Sequence, residues 1–95
     1  KALVHSEPLR ATILEVGADD EPDGTTVMVR VSLGSADGLR MNMPLMSPRG
    51  GRGLRGWVWQ MDPKHCGVGI AVERDAAGAI VGGPQVGDVL VTRAD

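Results

Sequence analysis

The sequence predicts an all-β domain, a small closed or partly open barrel of about six strands. Three observations carry this. Apolar and polar residues alternate over short stretches, most clearly where Val27, Val29, Val31 and Leu33 are interleaved with Met28, Arg30 and Ser32. No stretch of ten residues repeats its apolar positions at helical spacing. The 14 glycines and 6 prolines fall mostly between the alternating stretches, as turns do. Closing the sheet into a barrel would also remove exposed strand edges.

Each element follows in order. Lys1–Leu9 reads as a lead-in, because Pro8 disfavours helix before it, and one domain runs over 10–93. Arg10–Val16 is a strand with Thr12, Leu14 and Val16 on one face and Ala11, Ile13 and Glu15 on the other. Gly17–Thr26 is an acidic loop. Val27–Leu33 is the clearest strand, Gly34–Gly38 a tight turn, and Leu39–Met46 an extended piece. Ser47–Gly53 is a basic, glycine-rich loop, and Gly56–Met61 is a strand with Trp57, Trp59 and Met61 on one side. Asp62–His65 is a turn opened by Asp-Pro. Gly67–Glu73 alternates Val68, Ile70 and Val72 against residues of almost no bulk. A weak strand around Ala79–Val81 follows, and Val86–Thr92 closes the domain. The expected core is Val27, Val29, Val31, Leu33, Val68, Ile70, Val72, Val89 and Val91.

An internal repeat underlies this order. Arg10–Val16 overlays Arg55–Met61 at an offset of 45 residues. Each is followed by a turn, a Val-rich strand, a glycine-bearing turn and a short strand, so the barrel can be built from two pseudo-repeats of three strands. The overlay sets Thr12, Leu14 and Val16 on Trp57, Trp59 and Met61.

Composition narrows the function. Ten basic against twelve acidic residues give a net charge of −2, which argues against a general polyanion binder. A single cysteine excludes an intramolecular disulfide and a multi-cysteine zinc site. No apolar run approaches the roughly 20 residues that span a bilayer, and no signal peptide opens the chain. His65-Cys66 suggests nucleophilic or metal chemistry, yet neighbours on a strand point to opposite sides. A buried cysteine beside an exposed turn histidine is the expectation, with no catalytic, cofactor or metal site.

Gly34-Ser35-Ala36-Asp37-Gly38-Leu39 directly follows the strongest strand and reads as a turn; an anion-binding nest is the functional alternative. The longer string from Val31 to Leu45, VSLGSADGLRMNMPL, resembles a G-S-x-D-G-(V/L)-x-x-G-M-P segment of the rod-shape-determining MreC family, whose barrel motif recurs in other bacterial envelope proteins. Gly53-Leu54-Arg55-Gly56-Trp57-Val58 and Gly87-Asp88-Val89-Leu90-Val91-Thr92 are similar to its later G-L-V-G-x-V and G-D-x-V-V-T motifs. Asn42 stands where that family has glycine, a replacement compatible with left-handed backbone. The resemblance implies a periplasmic, non-catalytic scaffold module, with Gly34, Ser35, Asp37, Gly38 and Asn42 as structural turn residues.

Three groups are candidates for contact with partners. Trp57 and Trp59 are either the bulk of a core that has no Phe or Tyr, the favoured reading, or an exposed stacking platform. Arg40, Arg49, Arg52 and Arg55 surround a Pro/Gly-rich tract that resembles an RGG-type RNA-binding segment or forms a solvated hairpin loop. Asp19, Asp20, Glu21 and Asp23 make a loop of opposite sign without the ligand pattern of a calcium loop. Opposed loops offer a head-to-tail contact between identical modules, open to rings or filaments.

The sequence therefore points to a structural, protein-interaction module of a bacterial cell-envelope assembly, carried on a longer protein and exported to the periplasm. Any membrane link would come from an anchor elsewhere in that protein. The alternative is a cytoplasmic barrel of OB or SH3 type that binds single-stranded nucleic acid through the Arg/Gly loop and Trp57/Trp59.

Overall fold

A computed structural model describes residues 8–19 and 24–92. Eight strands run in chain order: β1 (Arg10–Asp19), β2 (Thr26–Val31), β3 (Pro44–Met46), β4 (Arg55–Gln60), β5 (Gly67–Ala71), β6 (Glu73–Arg74), β7 (Ile80–Val81) and β8 (Val89–Val91). Six of them close an antiparallel barrel in the order β1-β2-β5-β4-β3-β8, and β6 pairs with β7 as a separate two-stranded arm. One 3-10 turn, Ser35–Asp37, lies between β2 and β3.

The barrel has an internal pseudo-two-fold. β1 corresponds to β4, β2 to β5 and β3 to β8, and exchanging the members of each pair reproduces the strand order. Each half donates its third strand to the other: β3 pairs with β4, and β8 with β1. Loop hydrogen bonds repeat at the offset of 45. Asn42 N–H donates to the Val58 carbonyl (2.9 Å) and Val58 N–H to Met43 (2.9 Å), as Gly87 donates to Ile13 (2.9 Å) and Ile13 to Asp88 (2.8 Å). Leu54 N–H donates to Ser47 Oγ (2.9 Å), and Leu9 N–H to Thr92 Oγ1 (3.0 Å). Leu9, read as lead-in from the sequence, is thus the counterpart of Leu54 and packs on the core.

The core obeys the same symmetry. Ala11 and Ile13 point inward opposite Gly56 and Val58, and Leu45 corresponds to Leu90; among these Ile13, Val58 and Leu90 are 0% exposed. Of the core expected from sequence, Val27, Val29, Val31, Val68, Ile70 and Val91 are buried, whereas Leu33 and Val72 are half-buried against it. Val89 is half-buried too, because Leu90 is the residue of β8 that joins the core cluster. Leu39 seals the structure from the loop before β3, at 2% exposure. It belongs to no strand, since the extended piece expected from Leu39 shortens to Pro44–Met46.

Trp59 reverses the expectation of burial, and Trp57 meets it only in part. Trp59 is 52% exposed, Trp57 half-buried, and Leu14 and Val16 are exposed, while Ala11, Ile13 and Val58 take the interior. The reason is space. A six-stranded barrel has room for small and branched side chains, and at Gly56 even a Cβ would collide with the Gly69 carbonyl oxygen. Both exposed positions are also bulges. Ile13 pairs with Val31 but Glu15 with Arg30, and Val58 with Val68 but Gln60 with Gly67. Leu14 and Trp59 are the extra residues, and a bulge turns its side chain out of strict alternation.

Candidate interaction surface

The Gly34–Leu39 turn is structural. Gly34 N–H donates to Asp37 Oδ2 (3.0 Å), and Ser35 and Ala36 donate to the carbonyls of Asp62 (2.9 Å) and Pro63 (3.2 Å). A Cβ at Gly34 would strike those two carbonyl groups, so this turn can rest on the Asp62–Pro63 turn only with glycine there. Its amides are thereby occupied within the fold rather than aimed at an anion. Gly38 (φ 109°) and Asn42 (φ 66°) both adopt left-handed backbone, and Gly87 (φ 96°) is the symmetry counterpart of Asn42.

His65 and Cys66 are separated in environment. His65 is exposed, whereas Cys66 is fully buried with its thiol 3.5 Å from the Asp62 carbonyl oxygen. The Asp62 carboxylate caps this turn, accepting from the N–H groups of His65 and Lys64 at 2.9 Å each. Those bonds, His65 first, hold its pKa below the usual 3.8. Among the described residues no three His, Cys, Asp or Glu side chains are grouped as metal ligands.

The four arginines do not act as one patch. Arg52 is committed: its guanidinium lies 2.6 Å from Asp88 Oδ2 and donates to the Gly83 carbonyl at 3.0 Å. It fastens the Ser47–Gly53 loop to the segment entering β8. Arg40, Arg49 and Arg55 are exposed, and their side chains make no hydrogen bond or ion pair among the described residues. Asp19 ends β1, and Asp20, Glu21 and Asp23 lie outside the described residues.

The outer face of β4 is the most distinctive surface. Arg55 and Trp57 are adjacent outward positions, about 7 Å apart along the strand. The Trp57 ring lies across Gly69 of β5, with its Cε2 and Cζ2 atoms 3.5 Å from where a Cβ would stand. The indole thus packs over Gly69, at a distance where an added Cβ would make ordinary van der Waals contact with the ring. Pairing sets Met28 of β2 opposite Gly69 on the far side, and Arg30 opposite Gly67. Arg30 approaches Glu15 at 3.8 Å with both side chains well exposed, a contact worth little.

The pseudo-two-fold fails here. Thr12 and Leu14 stand where the other half has Trp57 and Trp59, and Ser32 stands where it has Gly69, while the core chemistry is conserved between the halves. The fold requires no tryptophan at these sites. The loops between the second and third strand of each half differ as well. The first carries the Ser35–Asp37 turn, and the second carries the β6–β7 arm. Between this arm and the β3–β4 pair opens a cleft of about 930 Å³, lined on the barrel side by Met46, Arg55, Trp57 and Ala71 and on the arm side by Glu73 and Val81. A smaller cleft of about 460 Å³ lies on the β1 side of the arm, against Val16, Val27 and Ile80. The sequence hinted at the arm only through a weak strand near residue 80. Its pairing partner, Glu73–Arg74, straddles the end of the strand expected over Gly67–Glu73 and the loop expected after it.

Compared with known proteins, the chain matches no family, no curated protein and no solved structure.

Proposed function

We propose that this barrel is a non-catalytic protein-interaction module of a bacterial cell-envelope assembly, presented by a longer exported protein. The observation that carries the interaction is the tryptophan-bearing outer face of β4, which departs from the internal symmetry although the core keeps it. Trp, Met and Arg are the residue types enriched where proteins meet, and Arg55, Trp57, Trp59 and Met28 supply them on one side of the barrel. The envelope assignment rests on the resemblance of Val31–Leu45 and the two later motifs to the MreC family. Self-association between the acidic loop at 19–23 and Arg49 or Arg55 belongs to the same reading, with Arg52 withdrawn by its bond to Asp88.

The test is a photo-crosslinking amino acid at Trp59 in the full-length protein, in its own cells. Protein adducts recovered from the envelope fraction, and fewer from the symmetry-related Leu14, are expected. Adducts to nucleic acid, or equal yields from both positions, would overturn the reading.

Single-stranded nucleic acid is the second reading, favoured by Arg55, Trp57 and Trp59 lying outward on one strand. It requires binding at about 50 mM salt that weakens with a log–log slope near −0.7 per phosphate contacted. No complex in a filter-binding titration at that salt would remove it.

A further inference from the structure

We infer that the cleft between the β6–β7 arm and β3–β4 receives an extended segment of a partner protein, in which an acidic and an apolar residue stand two positions apart. The inference rests on the interaction-module reading and names the ligand's chemistry. The extended form follows from the arm. It has two register pairs, Glu73 with Val81 and Arg74 with Ile80, and among the described residues it is a two-stranded sheet. Two-stranded pieces of this length are marginal alone and are stabilised when a further strand is added. Arg74 anchors the arm's base, donating to the carbonyls of Gly24 (2.7 Å) and Gly78 (2.6 Å). The arm nonetheless leaves Val81 55% exposed beside the cleft.

The acidic–apolar pattern follows from the opposite wall. Arg55 and Trp57 are two residues apart on one strand, so their side chains are on the same face at a spacing of about 7 Å. An extended ligand has the same period. A carboxylate over Arg55 and an apolar side chain over Trp57 and Val81 therefore fall two positions apart on the incoming strand. Arg55 makes no ion pair among the described residues, whereas Arg52, at the cleft's edge, is already neutralised by Asp88. Glu73 on the arm wall repels a carboxylate, which keeps the ligand's acidic residue on the barrel side.

The experiment is selection of a random dodecapeptide display library on the domain, followed by affinity measurement on the enriched peptides. Enrichment of an acidic and an apolar residue two positions apart, in one fixed order, is expected, with at least tenfold weaker binding to Arg55→Glu. A second selection on Arg55→Glu should enrich Lys or Arg at the acidic position. Arg55 is exposed, so the variant keeps the wild-type circular dichroism and melt; Arg55→Gln, with an intermediate loss, serves if it does not. No enrichment, enrichment without the acidic position, or peptides indifferent to both variants would overturn the cleft assignment. Crosslinking at Trp59 would then still report on the module reading itself. Competition by a twelve-residue oligothymidylate would also overturn it, in favour of nucleic acid.

Discussion

Replacing the smaller of two neighbouring residues should damage this protein more than replacing the larger. Val58 is 0% exposed at the centre of the barrel, and Trp59 is 52% exposed on a bulge. Val58→Ala removes two buried carbons, about 0.8 kcal/mol each in transfer, and leaves a cavity that raises the cost to about 2–3 kcal/mol. Trp59→Ala trims a largely solvated ring and should cost below about 1 kcal/mol. Urea unfolding resolves the difference. With a slope of about 1–3 kcal/mol/M, Val58→Ala moves the midpoint down by about 1 M while Trp59→Ala stays near wild type. In a melt, the same loss is about 8–24 °C. A buried tryptophan would cost about 3–5 kcal/mol on truncation. Finding that loss for Trp59→Ala, or a neutral Val58→Ala, would refute the assignment of β4's faces.

Gly34→Ala forces a Cβ into the Asp62 and Pro63 carbonyls and should cost about 1–3 kcal/mol or more, read as a lower urea midpoint. Arg52→Ala removes the 2.6 Å pair with Asp88; with the two side chains 38% and 16% exposed, a loss of about 0.5–1 kcal/mol is expected, shrinking in high salt. Asp62 has a lowered folded-state pKa, so its contribution is present above the usual 3.8 and is lost as pH falls below it. The stability gap between wild type and Asp62→Asn should therefore narrow through that acid range in pH-dependent melts, and a gap that widens would contradict the cap.

How much of this was legible in the sequence depended on whether a strand had one apolar face or two. In β2, Arg30 marks the outside, and in β5 the glycines do, so Val27, Val29, Val31, Val68 and Ile70 could be assigned inward from alternation alone. β1 and β4 carry apolar residues on both faces. There, size suggested that Trp57 and Trp59 fill the core, but the barrel interior admits only the smaller set, Ala11, Ile13, Gly56 and Val58. One-residue bulges at Leu14 and Trp59 also break the period of two, and no residue type announces them. The internal repeat was visible at its true offset because Arg10 and Arg55 head equivalent strands. Its exchange of third strands was not, since pairing between distant segments leaves no local pattern. The cleft escaped for the same reason: it joins residues of β3, β4 and β5 to an arm whose strands are two residues long.

Where a partner touches can be read most directly from backbone amide shifts of the isotope-labelled domain, titrated with an enriched acidic–apolar peptide. Shifts centred on Arg55, Trp57, Ala71 and Val81 are predicted, with the symmetry counterparts Arg10 and Thr12 unmoved. Equal shifts at Arg10 and Thr12, or a response confined to the Ser47–Gly53 loop, would contradict an interaction face on β4.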